Sequence, residues 1–168
     1  MHTSSYKIVS NFTDKYVKDG DVVLDIGSYN VNGTFRDLFT HCKYIGLDIE
    51  NGPNVDIVVI DPYEWVDINT ESIDIVICGS VIEHVEFPWL TFEEIYRVLK
   101  VGGYFCITAP MIWVEHKHPL DCYRFHIDGL KSLCKWAALT CIEVNQIPAE
   151  HDGQEQGFSD CYIIGRKE

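Results

Sequence analysis

A chain of 168 residues is the size of one domain, and such a domain buries about 70% of the surface its unfolded chain exposes, so no disulfide is needed to hold it. Hydrophobic residues at 46% and charged residues at 23% are an ordinary globular balance, and no apolar run approaches the roughly 20 residues of a membrane-spanning helix. The net charge of −13, with 13 Lys and Arg scattered and no run longer than the pair Arg166-Lys167, disfavours nucleic acid as a partner.

The predicted elements alternate in pattern along the chain. Residues 4–18 read as a helix, with Ser4 or Ser5 as its cap, Ile8, Phe12 and Tyr16 on one face and Gly20 past its end. The run from Asp21 to Ile26 is short, apolar and bounded by turn residues, as a buried parallel strand should be. A turn leads to a helix over about Gly33 to Thr40, then to strands over 43–48, 55–60 and 72–78. Only Ile49 to Asn54 separate the second and third strands, too few for a helical crossover, so that helix is expected to be missing or reduced to one turn. Pro88 opens the best-marked helix, with Trp89, Phe92, Ile95 and Leu99 on one face and Gly102-Gly103 as its stop. Gly103 to Ala109 is the fifth strand; after an irregular stretch Asp128 can cap a helix carrying Leu130, Leu133 and Trp136. Segments 139–147 and 160–166 close the chain as an antiparallel pair. The sum is an α/β protein of one domain over 1–168, with an open, doubly wound, mostly parallel sheet of seven strands.

No basic head followed by an apolar stretch opens the sequence, so no secretory signal is visible. The seven cysteines are odd in number and lack the spacing of a zinc or redox motif, which fits a reduced, cytoplasmic protein. A small molecule is the expected partner, with no membrane association and a monomeric or homodimeric state.

Ligands of such sheets bind beyond the carboxyl ends of the strands, where the strand order reverses. The turn after the first strand runs Asp25-Ile26-Gly27-Ser28-Tyr29-Asn30-Val31-Asn32-Gly33, and Gly27 would let a ligand approach where a Cβ would collide. Asp48, twenty-three residues after Asp25, ends the second strand and can accept two hydrogen bonds from a ribose.

On these residues the sequence resembles the class I S-adenosylmethionine-dependent methyltransferases, and especially the type 11 group, over Val22 to Gly165. Asp25-Ile26-Gly27 matches the opening of the family's acid-x-Gly-x-Gly-x-Gly motif, while Tyr29 and Val31 stand where further glycines are usual. Ser72 to Val76 with Ser80-Val81-Ile82-Glu83-His84-Val85 resembles the fourth-strand motif, and Glu94 to Gly103 the helix that ends in Leu-Lys-Pro-Gly-Gly, with Val101 for the proline. The resemblance implies a Rossmann-like fold and S-adenosylmethionine as cofactor. It assigns Asp25, Gly27, Ser28 and Tyr29 to the first binding loop, and Asp48 and Ile49 to the ribose. Asp61, Pro62 and Tyr63 fall to the adenine, with the Tyr63 N–H replacing the one Pro62 lacks, and Gly79 and Ser80 follow the fourth strand. A nicotinamide-dependent oxidoreductase would share Gly27 and Asp48, but Tyr29 breaks its glycine pattern where a diphosphate needs backbone room.

The implied reaction is methyl transfer to an oxygen or nitrogen of a small-molecule acceptor, which the acidic surface would allow to be sugar-containing. A base is useful when the acceptor is a hydroxyl. His84, just past the fourth strand, and His116 and His118, in the irregular stretch after the fifth, are the candidates. The alternative for His84 is a packing role in the turn. Trp113 and Tyr123 are expected to wall the acceptor and Arg124 to clamp an acidic one; the alternative is that Tyr123, Arg124 and Phe125 anchor the loop to the sheet, the reading preferred for Phe125. His116, His118, Asp121, Cys122 and His126 could ligate a metal, but their spacing matches no familiar site and the expectation is none. A partner-activated or non-catalytic cofactor-binding module is the alternative function.

Overall fold

A computed structural model describes residues 3–151 and 154–168; Met1 and His2, the start of the stretch searched for a signal, lie outside the described residues. The strands are β1 (Val22–Ile26), β2 (Lys43–Asp48), β3 (Ile57–Val58), β4 (Ile73–Gly79), β5 (Leu99–Ile112), β6 (Thr140–His151) and β7 (Gln154–Arg166). They form one seven-stranded sheet in the order β3-β2-β1-β4-β5-β7-β6. The first five are parallel; β7 inserts between β5 and β6 and runs antiparallel to both. The Rossmann-like arrangement expected from the sequence is therefore present.

Alternation along β4 explains the layers. Ile75 and Ile77 face one side, where helix α1 (Thr3–Tyr16) covers them with Val9 and Phe12. Val76 and Cys78 face the other, beneath α2 (Pro88–Val98) and α3 (Ile127–Trp136), which bring Phe92, Ile95, Leu130 and Cys134. Each such large apolar side chain contributes roughly 1.5–3 kcal/mol by leaving water. Among the described residues no helix is long and apolar enough to cross a membrane.

The connection from β2 to β3 carries no helix, as its length foretold. Four local expectations are corrected. Ser4 and Ser5 do not cap α1; they lie inside it, Ser4 Oγ donating to Asp160 at 2.6 Å and Ser5 Oγ accepting from Thr108 at 3.2 Å. The helix expected over 33–40 shrinks to a 3-10 turn, Arg36–Phe39, because the preceding loop is bonded across to the next connection. Helix α2 ends at Val98 rather than at the glycines, which join the last strands instead: Gly102 N–H donates to Lys167 O and Lys167 N–H to Gly103 O. His126, not Asp128, precedes the first turn of α3.

Candidate active site

The strand order reverses between β1 and β4, and a cavity of about 770 Å³ opens there. Its polar end is built by the loops after β1 and β2. Gly27 and Ser28 both donate to the Leu47 carbonyl, at 2.8 and 3.1 Å, which folds the first loop over the end of β2. Asp48 then receives three backbone N–H groups: Tyr29 on Oδ2 at 2.9 Å, and Ile49 and Glu50 on Oδ1 at 2.7 and 3.2 Å. These bonds fix the carboxylate at the cavity wall and leave one lone pair free, on Oδ2. Arg36 ties the same two loops together, reaching Asn54 Oδ1 and Asp56 Oδ2, each at 2.6 Å.

The glycines act differently from expectation. Gly27 has φ +73, but the place of its missing Cβ is taken by Val81, whose Cγ2 would lie 2.2 Å away. The close approach is made by the chain's own Val81, not left open to a ligand. Tyr29, where the family has glycine, is accommodated by Gly52, whose Cβ would meet the Tyr29 ring at 2.0 Å. Beneath the loop Asp25 is buried and accepts the Tyr44 hydroxyl. Burial pushes its carboxyl up to about 7, against the Tyr44 bond and the Arg36 charge.

Of the residues expected to hold the cofactor, Asp25, Gly27, Ser28, Tyr29, Asp48, Ile49, Pro62, Tyr63, Gly79 and Ser80 line the cavity. Asp61 does not; its Oδ1 accepts the Tyr63 N–H at 2.8 Å, which shapes the turn and engages the N–H expected to meet an adenine. Trp65, missed by the sequence reading, is buried in the same wall, its indole N–H donating to Pro62 O at 3.0 Å and its backbone N–H to Glu94 at 2.9 Å. Ser28 Oγ, Ser80 Oγ and Thr91 Oγ1 are buried at this cavity without a hydrogen-bond partner among the described residues. Orphaned hydroxyls are costly unless a ligand satisfies them. With Asp48, they fit a polar nucleoside.

The other end of the cavity is formed by residues 113–120 folding back over β4. The backbone carbonyl of Glu83 accepts the N–H groups of Cys122 and Tyr123, at 2.7 and 3.1 Å, and so straps this segment to the turn after β4. His84, Trp113, His116, His118 and Leu120 line the wall. His84 Nδ1 lies 2.5 Å from Leu120 O and His116 Nδ1 3.1 Å from Val114 O. Behind them Glu83 is fully buried, its Oε1 3.6 Å from His84 Nε2 and 3.7 Å from His116 Nε2. Glu83 raises the His116 pKa, chiefly as the acceptor that the protonated ring would bond and less through its charge, against the opposing effect of burial.

Arg124 and Tyr123 stand outside the cavity. The Arg124 guanidinium grips Asp121 at 2.5 and 2.7 Å and the carbonyls of Trp113 and Val114, so in this structure it clamps the loop rather than an acceptor. That pairing holds the Asp121 carboxyl well below the usual carboxylate range. Tyr123 donates to Glu86 O at 2.9 Å and faces a separate groove beside Trp89 and Trp136.

The family model described as a methyltransferase domain matches residues 24–107, half of the chain. The chain belongs to this family, the class I S-adenosylmethionine-dependent methyltransferases. No curated protein matches its sequence. Among solved structures, a candidate methyltransferase from Bacillus halodurans C-125 is similar to this methyltransferase domain at TM-score 0.74 and 13% identity, over 95% of this chain and 98% of that one. The 1,6-didemethyltoxoflavin-N1-methyltransferase of Burkholderia thailandensis, solved with 1,6-didemethyltoxoflavin and S-adenosylhomocysteine, gives 0.72 and 17%, over 98% and 78%. A chain in the complex of the Haloferax volcanii Trm112 methyltransferase activator with a candidate methyltransferase gives 0.69 and 18%, over 97% and 90%. At such identities the likeness is one of fold, and fold does not choose an acceptor.

Proposed function

We propose that this protein transfers the methyl group of S-adenosylmethionine to an oxygen or nitrogen of a small-molecule acceptor, with sugar-containing metabolites the first class to try. The observation that carries this reading is the two-ended cavity: Asp48, Ser28 and Ser80 at one end, the histidine wall at the other, within about 770 Å³. Metabolite pockets span about 300–1,000 Å³, so a nucleoside and a small acceptor can share it.

Bound S-adenosylmethionine supplies an electrophilic methyl carbon on a sulfonium. Asp48 Oδ2 accepts a ribose hydroxyl, the loop from Gly27 to Tyr29 with Gly79 and Ser80 takes the amino-acid tail, and Pro62, Tyr63 and Trp65 wall the adenine. Trp113 and Leu120 exclude water from the acceptor end. Holding the reactants in line there is worth roughly 7–11 kcal/mol. His118 is the proton acceptor for a hydroxyl: it lines the cavity, while the rings of His84 and His116 are engaged with Leu120, Val114 and Glu83. The seven free cysteines, four of them buried, support a reducing compartment, the cytoplasm.

The test is formation of S-adenosylhomocysteine from S-adenosylmethionine across a panel of metabolite acceptors. With an accepted hydroxyl substrate, His118→Ala should lower kcat by about 10²–10⁴ and leave cofactor affinity unchanged. A second reading, activation by a partner protein, is favoured by the exposed Ile60, two residues past the edge strand β3. It gains if cofactor binds but every acceptor fails until a partner is added.

A further inference from the structure

Glu83, His84 and His116 have no place in the cofactor-binding set, yet their arrangement is unusual. Glu83 is fully buried, and among the described residues neither carboxylate oxygen has a hydrogen-bond partner, which in a folded chain is expensive. Each neighbouring histidine has its Nδ1 beside a backbone carbonyl, and a carbonyl only accepts, so Nδ1 carries the hydrogen in both rings. Arg124 Nη2 also lies 3.4 Å from His116 Nδ1, but its two hydrogens are directed at Val114 O and Asp121 Oδ2, each at 2.7 Å. In the neutral rings both Nε2 atoms therefore present lone pairs, and both point at Glu83 Oε1 from 3.6 and 3.7 Å. Three acceptors converge without a donor between them. Either a proton on one of these groups or a metal ion between them reconciles that geometry, and two rings aimed at one carboxylate oxygen suit the metal.

We propose that Glu83, His84 and His116 form a binding site for a divalent transition metal of the zinc class, set at the acceptor end of the methyltransferase cavity. Two imidazoles and one carboxylate are a common ligand set for such ions. The ligand atoms lie within 4.8 Å of one another. Ligands about 2.1 Å from a tetrahedral ion stand about 3.4 Å apart, so small rotations of the two rings complete the site. The supporting shell is already in place: carbonyls of Leu120 and Val114 orient the rings, and the Asp121–Arg124 pair holds the His116 segment through the His116 N–H to Asp121 Oδ2 bond at 2.7 Å. Three protein ligands leave a fourth position open. Because His84 and His116 line the cavity, that position serves an oxygen of the acceptor, which makes acceptors with a hydroxyl the class expected. This last step rests on the methyl-transfer reading; metal binding itself does not.

The probe is Co²⁺ or Zn²⁺ alone, titrated into chelator-treated full-length protein by calorimetry, with the visible absorption of Co²⁺ reporting its ligands. One equivalent should bind to the wild type. Glu83→Gln and His116→Ala should each weaken binding at least tenfold, whereas Cys122→Ser, which removes an exposed thiol near His84, should not. Thermal stabilisation by S-adenosylhomocysteine, measured on every variant, reports whether the fold and cofactor end survive; His116→Ala, on an irregular segment, is the variant least expected to disturb them. Absent or superstoichiometric binding, or equal binding by wild type and both ligand variants, overturns the proposal. No metal binding by the wild type, with its cofactor binding intact, sinks the metal site alone. Metal binding without any cofactor binding sinks the methyltransferase reading alone.

Discussion

Replacing Asp25 by asparagine is expected to remove a large part of the pH dependence of stability. The carboxyl sits buried in β1, paired in register with Gly46 of β2 and Ile77 of β4, with the Tyr44 hydroxyl as its partner. Burial raises its pKa from 3.8 to about 7. Between those values the unfolded chain releases the proton and the folded chain keeps it, so the folded state binds more protons and stability falls as pH rises. Above about pH 7 both states are ionised and the penalty is complete. At about 1.4 kcal/mol for each pKa unit, the difference amounts to about 4 kcal/mol. Asparagine retains an acceptor for Tyr44 and has no proton to lose. In urea unfolding followed from pH 4 to pH 8, Asp25→Asn should gain on the wild type steadily until about pH 7, at an unchanged denaturant slope. Parallel stability curves for the two proteins would refute the argument, since they would mean that Asp25 is ionised in the folded chain at low pH or is reached by water.

Two other perturbations address the loops. Gly27→Ala should cost about 2–4 kcal/mol in urea unfolding, from a left-handed backbone and a collision with Val81; in a Val81→Ala background only the backbone part, about 1–2 kcal/mol, should remain. Asp121→Asn should loosen the segment at the acceptor end, raising hydrogen exchange at the His116 amide at least tenfold at pH 7. The wild type should approach the variant as pH falls, because a carboxyl with a depressed pKa stabilises above its unfolded value and loses that effect as it protonates.

The strands were legible because buried parallel strands are short apolar runs between turn residues, and 22–26, 43–48 and 73–79 read that way directly. The absent crossover helix was legible from length alone. What escaped depends on distant partners. Ser4 looks like a cap in sequence, but its partner Asp160 is 156 residues away. The 3-10 turn at Arg36 is short because the chain before it is held by the next loop, Asn30 N–H donating to Pro53 O and Arg36 reaching Asp56. β3 covers two residues because it pairs only with Leu47 and Asp48 at the sheet edge. At the site, Asp48 and the three histidines were found from position in the pattern. For Arg124 both roles stood open, since nothing in Asp121-Cys122-Tyr123-Arg124 distinguishes a loop clamp from a substrate clamp, and the structure shows the loop clamp. Glu83 carried a signal, an acid directly before His84 at the end of an apolar strand, but its complete burial is a tertiary fact.

Calorimetric titration of purified, ligand-free protein with S-adenosylhomocysteine tests the central claim most directly. One equivalent should bind the wild type. Asp48→Ala should bind about a hundredfold more weakly, as losing hydrogen bonds to a charged group costs about 1.5–3 kcal/mol. No heat with the wild type, or equal affinity in the variant, would contradict the account.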